Sequence, residues 1–236
     1  MKMKPIFNDL DYKVLDLSEI RTVINDLNER RMHPTSKLRA ENAWVNFMIF
    51  RLSCCCGLRS KEIRHLRLTD LMLEGSRPAI RIRSDGTKGH KSRLVPLWWD
   101  QQTLTDIKHW VAHRLAHYPV TAQVISSPRQ KGLIMRRNKV AYRWSNAIKA
   151  LPPIRVKQLT VHCGRHSFIS HALHHGRSLV EVQRAAGHST ILITQAYMHV
   201  VDSGRPTNIF SMEDSNGEKE SYQEESTKGR ETAGAC

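Results

Sequence analysis

One stretch limits the possible folds more than any other. From Ala43 to Ser60 the chain reads "AWVNFMIFRLSCCCGLRS". A helix drawn through it is apolar on nearly every face, so it has no side to offer water and must be wrapped by other elements. It ends near Gly57, a residue suited to a helix C-terminus. The rest of the chain supplies the wrapping. "DLSEIRTVINDLNERR" puts Leu17, Ile20, Val23, Ile24 and Leu27 on one side of a helix, and the polar stretch "RMHPTSKLRAEN" breaks it. A short helix is expected over Ser60–Leu66. Helical spacing returns through Leu104, Ile107, Val111 and Leu115, and again in "NKVAYRWSNAIKAL", "LTVHCGRHSFISHALHHG", "SLVEVQRAAG" and "STILITQAYMHV". Between them "AIRIRSDGTKGHKSRLVPL" changes period, with apolar alternation on either side of a glycine-containing polar tip, which is a β-hairpin. The expected fold class is mainly α with a small antiparallel β-sheet (α+β), in one domain with no internal repeat and no second core.

Charge narrows the partner. The 236 residues carry 37 Lys plus Arg against 22 Asp plus Glu, a formal net charge of +15. Residues 211–236 hold three basic and seven acidic residues, which leaves 34 against 15, or +19, for the rest. An excess of that size points to a polyanion, of which nucleic acid is the commonest. No apolar run approaches the ~20 residues of a membrane span, and the N-terminus lacks a signal-peptide core. Three of the five cysteines are adjacent, Cys54–Cys55–Cys56, and no C-x-x-C occurs, which fits thiols in a reducing cytosol.

The stretch Leu159–Gly176 holds five of the 13 histidines. Zinc does not suit it. Structural zinc takes four Cys/His ligands in close pairs, whereas Arg165 stands between His162 and His166 and no second pair has matching spacing. No metal and no cofactor are expected. His162 and Arg165, three apart, share a helix face, and Thr160 would cap that helix beside them. An imidazole, a guanidinium and a helix start together suit a phosphate. Phe168, Ile169, Ala172 and Leu173 lie on the opposite side, as core.

Three further stretches carry chemistry in order. "CGLRSKEIRHL" places Arg59 after a buried helix and a glycine. "GTKGHKSRLVPL" puts Lys88 at the hairpin tip, with Lys91 and Arg93 close by. "AAGHSTILITQAYMHV" supplies His188 after a glycine and Tyr197 nine residues later. Taken together, G-L-R-x-x-E, T-K-G-x-K-x-R-x-V-P-L, H-x-x-R-H-S-F and G-H-x-x-x-x-x-T-x-x-Y-x-H resemble the tyrosine recombinase (phage integrase) family over its catalytic domain. Gly164, where the family usually has a larger apolar residue, and Ala186, where it often has Leu, depart from the pattern at packing positions.

The resemblance implies a site-specific recombinase that cleaves and rejoins DNA without metal or ATP. Tyr197 would be the nucleophile, forming a 3′-phosphotyrosine. His162 would be the base, Arg59, Arg165 and His188 would hold the phosphoryl oxygens, and Lys88 would protonate the leaving 5′-oxygen. Glu62 would brace Arg59 or a neighbour, while His166, His171, His174, His175 and His199 would be structural or backbone-contacting. Two other functions stay open: a non-catalytic DNA-binding accessory protein, and relaxation of DNA in the manner of a type IB topoisomerase. Expected partners are double-stranded DNA with specific recombination sites, a homotetramer assembled on that DNA, and accessory DNA-bending proteins; no membrane is involved. The expected place is the bacterial cytoplasm, at the nucleoid. Residues 1–13 read as a lead, 14–205 as the catalytic domain and 206–236 as a flexible acidic tail. No full N-terminal core-binding domain is recognised, which resembles either the short single-domain recombinases such as the fimbrial phase-variation invertases or a truncated integrase.

Overall fold

The computed structural model describes residues 11–84, 92–117, 122–126 and 133–198. Helix α1 (Leu17–Met32) begins at Asp16, whose carboxylate accepts from the Glu19 N–H at 2.8 Å. Its inward stripe is Ile20, Val23, Ile24 and Leu27, the residues the periodicity selects. The break that follows is shorter than the polar composition suggests. Ser36 caps α2 (Lys37–Cys54), so the polar segment from Lys37 onward is already helical. A side-chain cap outweighs the modest cost of polar residues in the first turn of a helix.

Helix α2 is the axis of the molecule. Val45 through Cys54 are all buried. Around it pack α1, α4 (Gln101–His117), α5 (Arg137–Ala147) and α7 (Val161–His174). Phe50 stacks on Trp144 of α5 at 5.7 Å, and the Trp144 indole N–H donates to the Leu159 carbonyl at 3.1 Å. Arg51, buried inside α2, pairs with Asp106 of α4 at 2.6 Å, so one buried charge is matched across that contact.

The hairpin is present, with a third strand added. Strand β1 (Leu71–Met72) pairs antiparallel with β2 (Ala79–Ile82), and β2 with β3 (Arg93–Pro96), in the register Leu71↔Ile80, Ile80↔Val95 and Ile82↔Arg93. The hairpin tip, with Lys88 and Lys91, lies outside the described residues. Short α3 (Ser60–His65) leads into the sheet, and α6 (Pro153–Gln158) leads into α7. Helices α8 (Leu179–Ala186) and α9 (Ile191–Gln195) close the described chain.

The interior divides, against the expectation of one core. The larger cluster surrounds α2; the smaller joins Trp99, Phe168, Ile169, Ala172 and Leu173 to Val182, Ala185, Ala186 and Tyr197. Helix α7 belongs to both and carries the polar belt between them, with Arg165, Ser167, Ser170 and His171 all buried. Gly164 explains itself at this seam. A Cβ there would stand 2.3 Å from Ser53 Oγ and 2.8 Å from the Trp144 ring, so these neighbours occupy the volume a larger residue would need. Among the described residues no helix is long and apolar enough to cross a membrane.

Candidate active site

The site grows from the end of α2. Gly57 has φ +64°, a left-handed conformation, and a Cβ on it would meet the Phe168 ring at 2.4 Å. The chain reverses there, buries Leu58 and releases Arg59 as the residue before α3. The Arg59 backbone N–H donates to Glu62 Oε2 at 2.8 Å, and its guanidinium to Glu62 Oε1 at 3.0 Å. Glu62 is 3 % exposed and is gripped from the other side by Arg93, whose two terminal nitrogens donate to its two oxygens at 2.8 Å each. Burial alone would raise the Glu62 carboxyl; the Arg93 bonds and charge, with those of Arg59, overcome it and hold the pKa below the usual carboxylate value.

Two consecutive carbonyls bring the arginines together. Arg165, on α7 and 5 % exposed, donates through Nη2 to the Ala186 carbonyl and through Nη1 to the Gly57 carbonyl at 2.7 Å. Arg59 Nη2 donates to the Gly187 carbonyl at 3.2 Å. The C-terminal turn of α8 is therefore the anvil on which both guanidinium groups rest. Arg93 supports the same turn through Nε, which donates to the Ala185 carbonyl at 2.8 Å. Gly187, at φ +68°, leaves room for the Arg93 side chain, whose Cδ a Cβ would approach to 2.7 Å. Burial, then the charges of Arg59 and Arg93, pull Arg165 down to about 9, still cationic at neutral pH.

The titratable rings around this pair feel the same excess of positive charge. His188 follows Gly187, and its Nδ1 lies 2.9 Å from Thr194 Oγ1. Burial, then Arg165, Arg59 and Arg93, push its pKa down to about 3. His162 is more open; partial burial, then Arg165, Arg59 and Arg137, lower it too. Tyr197, just past α9, is 6 % exposed, and its ring lies 6.3 Å from that of His188. Burial drives the phenol up to about 12, and Arg165 opposes that rise. Its hydroxyl lies 2.6 Å from Nδ1 of His166, the two rings stacking at 5.7 Å. Burial first, then His162, Lys13 and Arg165, bring His166 down to about 4. The ring is neutral at pH 7, and in its Nε2–H tautomer Nδ1 accepts from the hydroxyl.

The arrangement is a pocket of cations short of negative charge. Glu62 is committed to Arg93 and to Arg59. A phosphodiester would supply the missing anion between the guanidinium groups.

The sequence profile of the phage integrase family matches residues 13–203. The chain belongs to the phage integrase family. It is 32% identical to the tyrosine recombinase XerD of Proteus mirabilis over 146 residues, 61% of this chain and 44% of that protein. With the tyrosine recombinase XerA of Pyrococcus furiosus it shares 30% over 180 residues, 76% of this chain and 59% of that one. It thus spans about half the length of these relatives. Among solved structures, the XerA recombinase superposes with a TM-score of 0.62 at 21% identity, covering 84% of this chain and 62% of that one. The XerH recombinase bound to a palindromic difH substrate gives 0.56 at 23%, covering 79% and 49%. The integrase-family fold is shared by both.

Within this family member, four of the six residues singled out from motifs, Arg59, Arg165, His188 and Tyr197, meet around the α8 turn. His162 stands one helical turn before Arg165 on the same α7 face. Lys88 lies outside the described residues. Two participants were not singled out. His166, read as structural, carries the contact to the phenol. Arg93, read as a neighbour of Lys88, is the main partner of Glu62. The signal for Arg93 was its place on the inward-pairing strand after the hairpin; nothing local marked His166, because its partner is 31 residues away.

Proposed function

We propose that this protein is a site-specific DNA recombinase that cuts and rejoins strands through Tyr197. The observation that carries this reading is the pair of adjacent carbonyls, Ala186 and Gly187, holding Arg165 and Arg59 beside the tyrosine. Planar guanidinium forks match phosphoryl oxygens in a way lysine does not. Tyr197 Oη attacks phosphorus, the P–O5′ bond breaks, and a 3′-phosphotyrosine forms. Arg59, Arg165 and His188 offset the charge that develops on the non-bridging oxygens.

A phenol titrating at about 12 is only about 10⁻⁵ ionised at pH 7, so its proton needs an acceptor as the bond forms. His166 Nδ1, already hydrogen-bonded to it, takes that proton in this proposal, and His162 serves as the second imidazole beside the phosphate. Burial is the first cause that lowers both rings and cations add to it; a bound phosphodiester offsets the cationic part and so strengthens them as bases. The departing 5′-oxygen takes its proton from Lys88, by family resemblance. A 5′-hydroxyl from a partner duplex then attacks the phosphotyrosine and returns the phenol, so exchange consumes no cofactor. Exchange between two sites requires four such centres, hence a homotetramer on duplex DNA, acting with DNA-bending proteins at the bacterial nucleoid.

Trapping tests the proposal. A library of nicked duplexes with a randomised core is incubated with the protein, and covalent adducts are isolated on a denaturing gel. Sequence-selected adducts are expected with the native chain and none with Tyr197→Phe, while salt-sensitive binding persists in both. Adduct formed by Tyr197→Phe would assign the nucleophile elsewhere.

A further inference from the structure

A second cationic site lies away from the tyrosine. The end of α1, the turn into α2 and one face of α5 enclose a groove of about 610 Å³. No Asp or Glu lines it among the described residues. Arg30 is matched from behind by Asp26. Arg39, Lys139, Arg143 and Lys149 line the groove with no carboxylate among the described ion pairs. Asn42 lines the groove; from there to Cys54 the α2 axis runs roughly 18 Å, at about 1.5 Å per residue, before reaching the turn that presents Arg59. The two sites are at opposite ends of one helix.

Arg143 makes this more than a basic surface. It is 7 % exposed, and its terminal nitrogens face only neutral amides, Asn42 Oδ1 at 2.7 Å and Asn46 Oδ1 at 3.3 Å. Its Nε has no hydrogen-bond partner. Burial lowers its pKa, with no carboxylate to oppose it. A buried guanidinium without a counter-charge is costly, and an anion in the groove removes that cost. Tyr142 stands on the lining, 58 % exposed, with the Lys139 ammonium 4.9 Å over its ring. Cations along a groove beside an exposed tyrosine are the combination that holds single-stranded nucleic acid, phosphates on the charges and a base against the ring. An acidic peptide would use the cations and leave the tyrosine idle.

We infer that this groove binds a single-stranded segment of nucleic acid, separate from the phosphate held at Arg59 and Arg165. The inference goes beyond the recombinase reading and does not depend on Tyr197.

The test uses the full chain with a fluorescent oligothymidylate of about 20 nucleotides, read by anisotropy across a salt series, in native and Tyr197→Phe backgrounds. Arg39 and Lys149 are exposed, so Arg39→Gln/Lys149→Gln should fold normally. Affinity is expected to fall about tenfold or more, and the log–log salt slope by about 1.4, at roughly 0.7 per lost single-strand phosphate contact. Arg21→Gln/Lys108→Gln, which removes the same charge outside the groove, should bind much as the native chain does. Adduct yield on nicked duplexes should be unchanged in both. Unaltered oligothymidylate affinity overturns the inference, as does an equal loss in the control pair. A parallel drop in adduct yield also overturns it by merging the groove with the duplex path. So does displacement of the oligonucleotide by a synthetic peptide of residues 211–236, which would make the acidic segment the occupant.

Discussion

In the proposed reaction His166 takes the Tyr197 proton, and three substitutions separate that role from simple packing. His166→Phe keeps the ring stack but removes the acceptor, and the rate of adduct formation should fall about 10²-fold or more, the usual range for a general base. His166→Asn places an amide oxygen near the Nδ1 position, which accepts the hydrogen bond but cannot take the proton, so the loss should persist. His162→Asn should impair cleavage while leaving the phenol–imidazole contact in place. With the acid limb set by a ring titrating at about 4, native activity should decline as pH falls toward that value, a limb absent from His166→Phe. If the Phe variant keeps the native rate and pH profile, His166 only packs. The meeting of Arg59, Arg165, His188 and Tyr197 was legible from motifs that hold fixed residue types at fixed spacing. The contact of His166 was not, because it exists only once α9 folds back onto α7.

Between elements, the site depends on seams that tolerate little. Glu62 ties α3 to β3 through Arg93, and Arg93 Nε in turn ties β3 to α8 through the Ala185 carbonyl. Removing one partner of a buried ion pair leaves the other uncompensated, so Glu62→Ala should cost roughly 3–5 kcal/mol in urea unfolding and misplace Arg59 as well. Gly164→Ala drives a methyl into Ser53 and Trp144 and should destabilise by about 1–3 kcal/mol. Adding Ser53→Ala removes the oxygen at 2.3 Å and should recover part of that cost, net of the Ser53–Val161 hydrogen bond at 2.6 Å; no recovery would place the clash at Trp144. Helices with long apolar stripes, α1 and α2, were readable from periodicity. Strand β1 was not, since two residues carry no alternation and the pairing with β2 alone defines it. The start of α2 was missed because Ser36 caps a turn whose composition is polar.

Across the whole molecule, the concentration of positive charge makes acid the stress to which the fold is most exposed. His188 and His166 titrate at about 3 and about 4 when folded, and His162 is lowered as well, against 6.5 as the ordinary value. Between those limits the unfolded chain binds protons that the folded chain refuses, so stability rises with pH there. Their contribution is complete above about 6.5 and is lost as pH falls toward 4. Glu62, lowered from 4.5, adds a loss in the same direction below that value. Melting temperature by circular dichroism should therefore be flat from pH 8 to 7 and fall by on the order of 5 °C between pH 7 and 5. His188→Asn removes one of the proton acceptors and should flatten that fall. A phosphodiester between the arginines weakens the positive field felt by the rings, raising their pKa values. Saturating duplex DNA should then reduce the loss at pH 5 by more than it raises the melting temperature at pH 8, because protons are taken up on binding. Equal stabilisation at both pH values would mean that the bound phosphates do not approach His162, His166 or His188.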